Sequence, residues 1–262
     1  MNIATVASNT SWKNVDKNLE LTSKHVKKVI KLWPKTQIIL FPEVSLMGTI
    51  VDDSLDQIAQ PLDGHGVRGI QKIAKENQVA LVCGIIERNP KGKPFNTQFV
   101  VSKNGKLIAQ YSKNHLFTES AEPELYCAGK ELTTFELDGW KFGLSTCFDI
   151  RFPRLFETYK KAGVECMLSG FNWYEGRNKA AIMEHLVKAR AHENQFFFAA
   201  VDRSGSDPNT QFYGISVVAS PYAEDIADRN GIYSYAELDK IEIDTLCKTL
   251  PLDKSFRQSY KL

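Results

Sequence analysis

The rhythm of apolar runs constrains this chain more than any other feature. Ten strand-length runs, at 2–7, 37–41, 79–87, 95–102, 106–111, 141–146, 165–169, 196–201, 214–219 and 232–238, are interleaved with four helix-length stretches at 14–33, 66–77, 153–162 and 178–194. Asn104-Gly105 between two of the runs is a hairpin turn signal. Ten strands are too many for one flat open sheet, whereas two packed sheets covered by helices would bury them. The class is therefore α/β. No linker, low-complexity segment or fixed-period repeat interrupts the pattern, which reads as one domain over 1–262. No apolar run approaches the ~18–20 residues that cross a membrane.

Three of the runs end in a reactive side chain. Leu144-Ser145-Thr146 delivers Cys147, and Phe148-Asp149-Ile150-Arg151-Phe152-Pro153 turns the chain toward a helix. Backbone N–H groups and a helix N-terminus beside the sulfur would favour thiolate over thiol. Ile38-Ile39-Leu40-Phe41-Pro42 ends in the carboxylate of Glu43, and Ala109-Gln110-Tyr111-Ser112 ends in Lys113. Singly, each is more often structural: a free cysteine packs as a small hydrophobe, and a Glu or Lys is solvated. Together they predict a shared crevice, because catalytic groups of open α/β folds gather at the carboxyl ends of strands.

Phe-Pro-Glu, Lys-Asn-His-Leu-Phe and Cys-Phe-Asp-Ile-Arg-Phe-Pro, in this order, resemble the nitrilase superfamily of carbon–nitrogen hydrolases, and the resemblance covers nearly the whole chain. It implies a four-layer α-β-β-α sandwich and a catalytic Glu43, Lys113 and Cys147. A further family glutamate best matches Glu122, with Glu119 and Glu124 close by. Cys147 would attack an amide carbonyl and form a thioester. Glu43, its pKa lifted by burial or neighbours, would take the thiol proton, give it to the leaving ammonia and later activate water. Lys113 would face the developing oxyanion, with the Phe148 N–H as a second donor, and Glu122 would position Lys113 or the substrate nitrogen. Asn172-Trp173 matches an Asn-Trp of several branches, with Tyr174 where a proline is frequent. Phe117, Phe171 and Trp173 are candidates for an aromatic wall, and Arg177 or Arg203 for pairing with a substrate carboxylate. The wording is most similar to the ω-amidase branch, which acts on 2-oxo dicarboxylic acid monoamides such as 2-oxoglutaramate and 2-oxosuccinamate. Deaminated glutathione amidases and N-carbamoyl amine amidases are the alternatives, and a catalytically silent binding protein is the alternative of another class. The family pairs into dimers through helices near the cysteine, here 153–162 and 178–194, with the tail 248–262 against the partner; a homodimer or higher homo-oligomer is the expectation.

Composition narrows the remaining choices. A net charge of +2 gives no reason to expect a nucleic-acid partner. The basic cluster Lys24-His25-Val26-Lys27-Lys28 lies on a helix whose other face is apolar (Val15, Leu19, Val26, Val29, Ile30, Trp33) and reads as its solvated side. Five unpaired-looking cysteines and no basic-then-apolar leader point to a reducing, cytoplasmic setting. There is no His-Glu-x-x-His, no Cys-x-x-Cys and no phosphate loop, so neither metal nor nucleotide cofactor is expected. His115 reads as a packing residue beside Lys113.

Overall fold

The computed structural model describes residues 1–52, 54–208, 210–255 and 257. The first half of the chain supplies β1 (Asn2–Val6), α1 (Val15–Leu32), β2 (Ile38–Leu40), the single-turn α2 (Leu55–Ile58), α3 (His65–Asn77), β3 (Ala80–Glu87), β4 (Phe95–Val101) and β5 (Leu107–Ser112). A second run gives the short α4 (Glu122–Leu125), then β6 (Thr134–Leu137), β7 (Trp140–Thr146), α5 (Pro153–Lys161), β8 (Cys166–Phe171), α6 (Lys179–Asn194) and β9 (Phe197–Asp202). The hairpin β10 (Ser204–Asp207) and β11 (Thr210–Tyr213), β12 (Ser216–Ala219), β13 (Asp228–Asn230), β14 (Tyr233–Glu237) and α7 (Lys240–Thr249) complete it.

Seven strands form one sheet in the order β13-β14-β1-β2-β3-β4-β5, and five form another in the order β12-β9-β8-β7-β6. Each sheet has a parallel centre, β1-β2-β3 in one and β7-β8-β9 in the other. Their two-residue period sorts side chains into three apolar layers. Ile38, Leu40, Ala80 and Val82 meet Phe142, Leu144, Leu168 and Ala199 between the sheets. The alternate residues Ile39, Leu81 and Cys83 face Val26 and Val29 of α1 and Val67 and Ile70 of α3. On the far side Met167, Phe198 and Ala200 face Phe156 of α5 and Met183 and Val187 of α6. The result is the expected α-β-β-α sandwich, and all ten predicted strands and four predicted helices are present within a residue or two at their ends.

Local chemistry sets those ends. The Asn14 side chain accepts from the Lys17 N–H at 3.0 Å and caps α1. Pro153 opens α5, where a missing N–H costs nothing. Gln78 and Gln195 close α3 and α6 in the left-handed conformation. The sequence pattern does not reveal α2, α4, β6, β10, β11, β13 and α7. These are short or polar, as in Asp228-Arg229-Asn230, whose side chains are all exposed. Of the tail expected against a partner, Phe256 and residues 258–262 lie outside the described residues. No helix among the described residues is long and apolar enough to cross a membrane.

Two glycines let the sheets close around the turn after β2. A Cβ on Gly170 of β8 would lie 2.6 Å from the Glu43 nitrogen and 2.9 Å from the Phe41 carbonyl oxygen. One on Gly84 of β3 would lie 2.3 Å from the Val44 nitrogen. Backbone, unlike a side-chain tip, cannot give way cheaply. Gly170→Ala should therefore cost about 1–3 kcal/mol in denaturant melts, the usual range for overpacking. Gly92→Ala, where the nearest atom is 3.8 Å away, should be nearly neutral; equal losses at the two positions would refute the close-approach account.

Candidate active site

β7 ends at Thr146, and Cys147 follows in a left-handed conformation, φ +44°. Such a φ is uncommon outside glycine and is held here by a capping box. The Thr146 N–H donates to Asp149 Oδ2 at 2.9 Å, and the Thr146 side chain accepts in return from the Asp149 backbone. Asp149 is fully buried and also accepts from the Tyr111 hydroxyl at 2.7 Å and the His115 N–H at 3.0 Å. One carboxylate thus ties the cysteine turn of the second sheet to the end of β5 in the first. The His115 ring meets the same carboxylate through Nδ1 at 2.7 Å and stacks on Phe152, which is the packing role the sequence suggests.

Glu43 is held from three sides. Its Oε1 accepts from Lys113 Nζ at 2.8 Å and Asn96 Nδ2 at 2.7 Å, and its Oε2 accepts from the Asn172 N–H at 2.9 Å. Lys113 is 1% exposed, and Glu122 lies 3.0 Å from its ammonium on the other side. Glu122 in turn accepts from the Phe117 N–H at 2.8 Å. Of the three neighbouring glutamates, only Glu122 is buried; Glu119 and Glu124 are exposed. Asn96 was not anticipated. A legible sign of it is the run Asn96-Thr97-Gln98, three polar residues inside β4 that are all buried.

Charge in this buried site is set by competing effects. Burial opposes the Lys113 ammonium, yet Glu43 and then Glu122 outweigh it and hold its pKa well above the ordinary lysine value. Burial, reinforced by Glu43, raises the Glu122 carboxyl, with Lys113 opposing. Burial also pushes the Cys147 thiol well above its ordinary value, with Glu43 adding to the rise and Lys113 and the Asn172 N–H opposing it. This corrects the expectation of a thiolate favoured by the turn: the N–H groups are present, but enclosure and the neighbouring carboxylate win. A buried thiol beside a carboxylate that can take its proton suits attack coupled to proton transfer, with a fixed cation at hand for a developing oxyanion.

All four groups line one cavity of about 540 Å³. Phe117, Phe148, Asn172 and Trp173 line it as well. Three sequence candidates do not. Phe171 falls on the helix-facing side of β8 by strand alternation and packs in the outer core. Arg203 is fully buried, bonded to Asp207 at 3.1 Å and to the Thr10 and Ser206 carbonyls, so it anchors the β10–β11 hairpin. Arg177 is exposed and off the lining. The cations that do reach the cavity, besides Lys113, are Arg151 and Lys179. Among the described residues no group of three or more His, Cys, Asp or Glu is placed to hold a metal ion.

The raised thiol makes a prediction of sign. With its pKa raised well above the ordinary thiol value by burial, Cys147 holds its proton through neutrality, so the thiolate absorbance band of wild type minus Cys147→Ala should be absent at neutral pH and emerge only on the alkaline side. A full thiolate band at neutral pH would overturn the account of the site's charge.

Comparison with known proteins agrees with this geometry. The sequence profile of the carbon-nitrogen hydrolase family matches residues 2–243. A 2-oxoglutaramate amidase of Bacillus subtilis is 30% identical over 247 residues, covering 90% of this chain and 92% of the relative. The crystal structure of Saccharomyces cerevisiae Nit3, a member of branch 10 of the nitrilase superfamily, superposes with a TM-score of 0.87 at 25% identity over 96% of this chain and 94% of that one. XC1258 of Xanthomonas campestris, a CN-hydrolase superfamily protein, gives a TM-score of 0.87 at 24% identity over 100% and 98% of the two chains. With the buried Glu43–Lys113 pair and Cys147 in one cavity, the chain belongs to the carbon–nitrogen hydrolases of the nitrilase superfamily and is an amidase.

Proposed function

We propose that this amidase is an ω-amidase, releasing ammonia from 2-oxo dicarboxylic acid monoamides such as 2-oxoglutaramate and 2-oxosuccinamate. The observation that carries the chemistry is the Lys113 ammonium fixed between Glu43 and Glu122, 2.8 and 3.0 Å away, in the cavity that Cys147 lines. Glu43 accepts the Cys147 proton as sulfur attacks the amide carbon. The carbonyl electron pair moves to oxygen, where Lys113 and the Phe148 N–H stabilise it. The C–N bond then breaks, nitrogen takes the proton from Glu43, and ammonia leaves a thioester. Water, losing a proton to Glu43, attacks the thioester, and the C–S bond breaks to give the acid and the thiol. Glu122 holds Lys113 in place.

The substrate class is supported by the 30% identity to a 2-oxoglutaramate amidase over 90% of this chain, and by a cavity of about 540 Å³, suited to a small acyl group. We also infer a homodimer; Leu250 and Leu252, exposed in the tail, supply apolar surface that pairing would cover, and light scattering at the expected dimer mass would support it.

The test is ammonia release from 2-oxoglutaramate, 2-oxosuccinamate, deaminated glutathione and N-carbamoylputrescine. The 2-oxo acid amides should be preferred. Cys147→Ala should lose at least ~10³-fold in kcat, as removal of a nucleophile does, with its melting temperature nearly unchanged. Lys113→Met should lose about 10²–10³-fold. Preference for another member of the panel would move the substrate class, and wild-type turnover in Cys147→Ala would remove the mechanism.

A further inference from the structure

The cavity holds a second cationic position whose surroundings differ from those of Lys113. Lys179 is the first residue of α6, and its backbone carbonyl accepts from Trp173 Nε1 at 2.8 Å. Its half-buried side chain turns to the cavity, where the ammonium lies 3.3 Å from the Tyr174 ring centroid, 5.4 Å from that of Trp173 and 5.7 Å from that of Phe117. None of the ion pairs among the described residues includes it. Glu119 and Glu175 also border the cavity, but both are exposed, and water screens such charges strongly.

We propose that Lys179, boxed by Tyr174, Trp173 and Phe117, receives the substrate's distal carboxylate and so decides the enzyme's preference for acidic amides. Aromatic faces attract the ammonium and hold it without neutralising it, which leaves its charge available to an incoming anion. The three rings place low-dielectric surface beside the ammonium, so a carboxylate meeting it there gains more than at an open surface. Arg151 is the competing cation, since it borders the cavity and stacks over Trp173 at 4.7 Å. It is exposed, however, and belongs to the cysteine turn. The segment carrying Tyr174 is itself braced. Tyr174 bridges to Phe212 of β11, and the Glu175 N–H donates to the Gln211 carbonyl at 2.8 Å. Lys179 is thus presented on a fixed wall.

This inference rests on the acidic-amide substrate class proposed above, and a matched pair of substrates separates the two. Succinamate and butyramide have the same chain length and differ in a carboxylate against a methyl group. The readout is the ratio of their kcat/KM values. Wild type should favour succinamate, and Lys179→Met, which keeps an apolar stem, should lower the ratio about 10- to 100-fold, the value of a charge-assisted hydrogen bond, chiefly through KM. Lys179→Arg should restore much of it, and Lys179→Glu should shift preference toward 4-aminobutyramide. A merely structural role would depress both substrates and leave the ratio alone. A wild-type ratio near one would overturn the substrate class and this assignment together. A high wild-type ratio unmoved by Lys179→Met, or moved only by Arg151→Gln, would overturn Lys179 alone.

Discussion

An ammonium enclosed between two carboxylates governs this molecule. Removing Lys113 from water is costly by itself, and so is removing Glu43 or Glu122. The three are affordable only as a set, with Asn96, the Asn172 N–H and the Phe117 N–H taking the remaining lone pairs. Each partner comes from a different place: the turn after β2, the end of β5, the loop that follows it, α4, β4 and the end of β8. The cluster therefore fixes where six segments can lie, and the excess of one carboxylate over the cation is what keeps a base beside a thiol that holds its proton.

That arrangement depends on how closely backbones approach. Gly84 and Gly170 admit the turn of Glu43 from both sheets, and Gln98 spans the gap, its amide donating to the Leu168 carbonyl at 3.3 Å. Asp149 does the same for the cysteine turn. Polar groups buried between apolar layers specify one register of sheet on sheet, where apolar packing alone would tolerate sliding.

The layers were legible because each central strand is apolar on both faces and α1, α3 and α5 each carry one apolar stripe. Glu43, Lys113 and Cys147 were legible because each follows a strand directly. What stayed hidden depends on three-dimensional direction. Nothing in the string Ser169-Gly170-Phe171 says that Phe171 turns toward α6, since a continuously apolar strand carries no mark of which face is which. Arg203 and Lys179 are equally plain cations in sequence. Only the hairpin β10–β11, too polar to be recognised as paired strands, makes one a buried brace and leaves the other beside the cavity. The rise in the Cys147 pKa was hidden for a related reason: enclosure is a property of the whole cavity, which the residues of the turn do not reveal.

Glu43 and Lys113 belong to the first sheet, Cys147 and Asn172 to the second. The proton donor and its acceptor are therefore carried by different sheets, and the inner apolar layer between those sheets sets how they meet. Val82 and Leu168 pack in that layer and line no part of the cavity. Since misplacement by about 1 Å can cost 10²-fold in rate, the inner core of this enzyme is a kinetic component as much as a structural one.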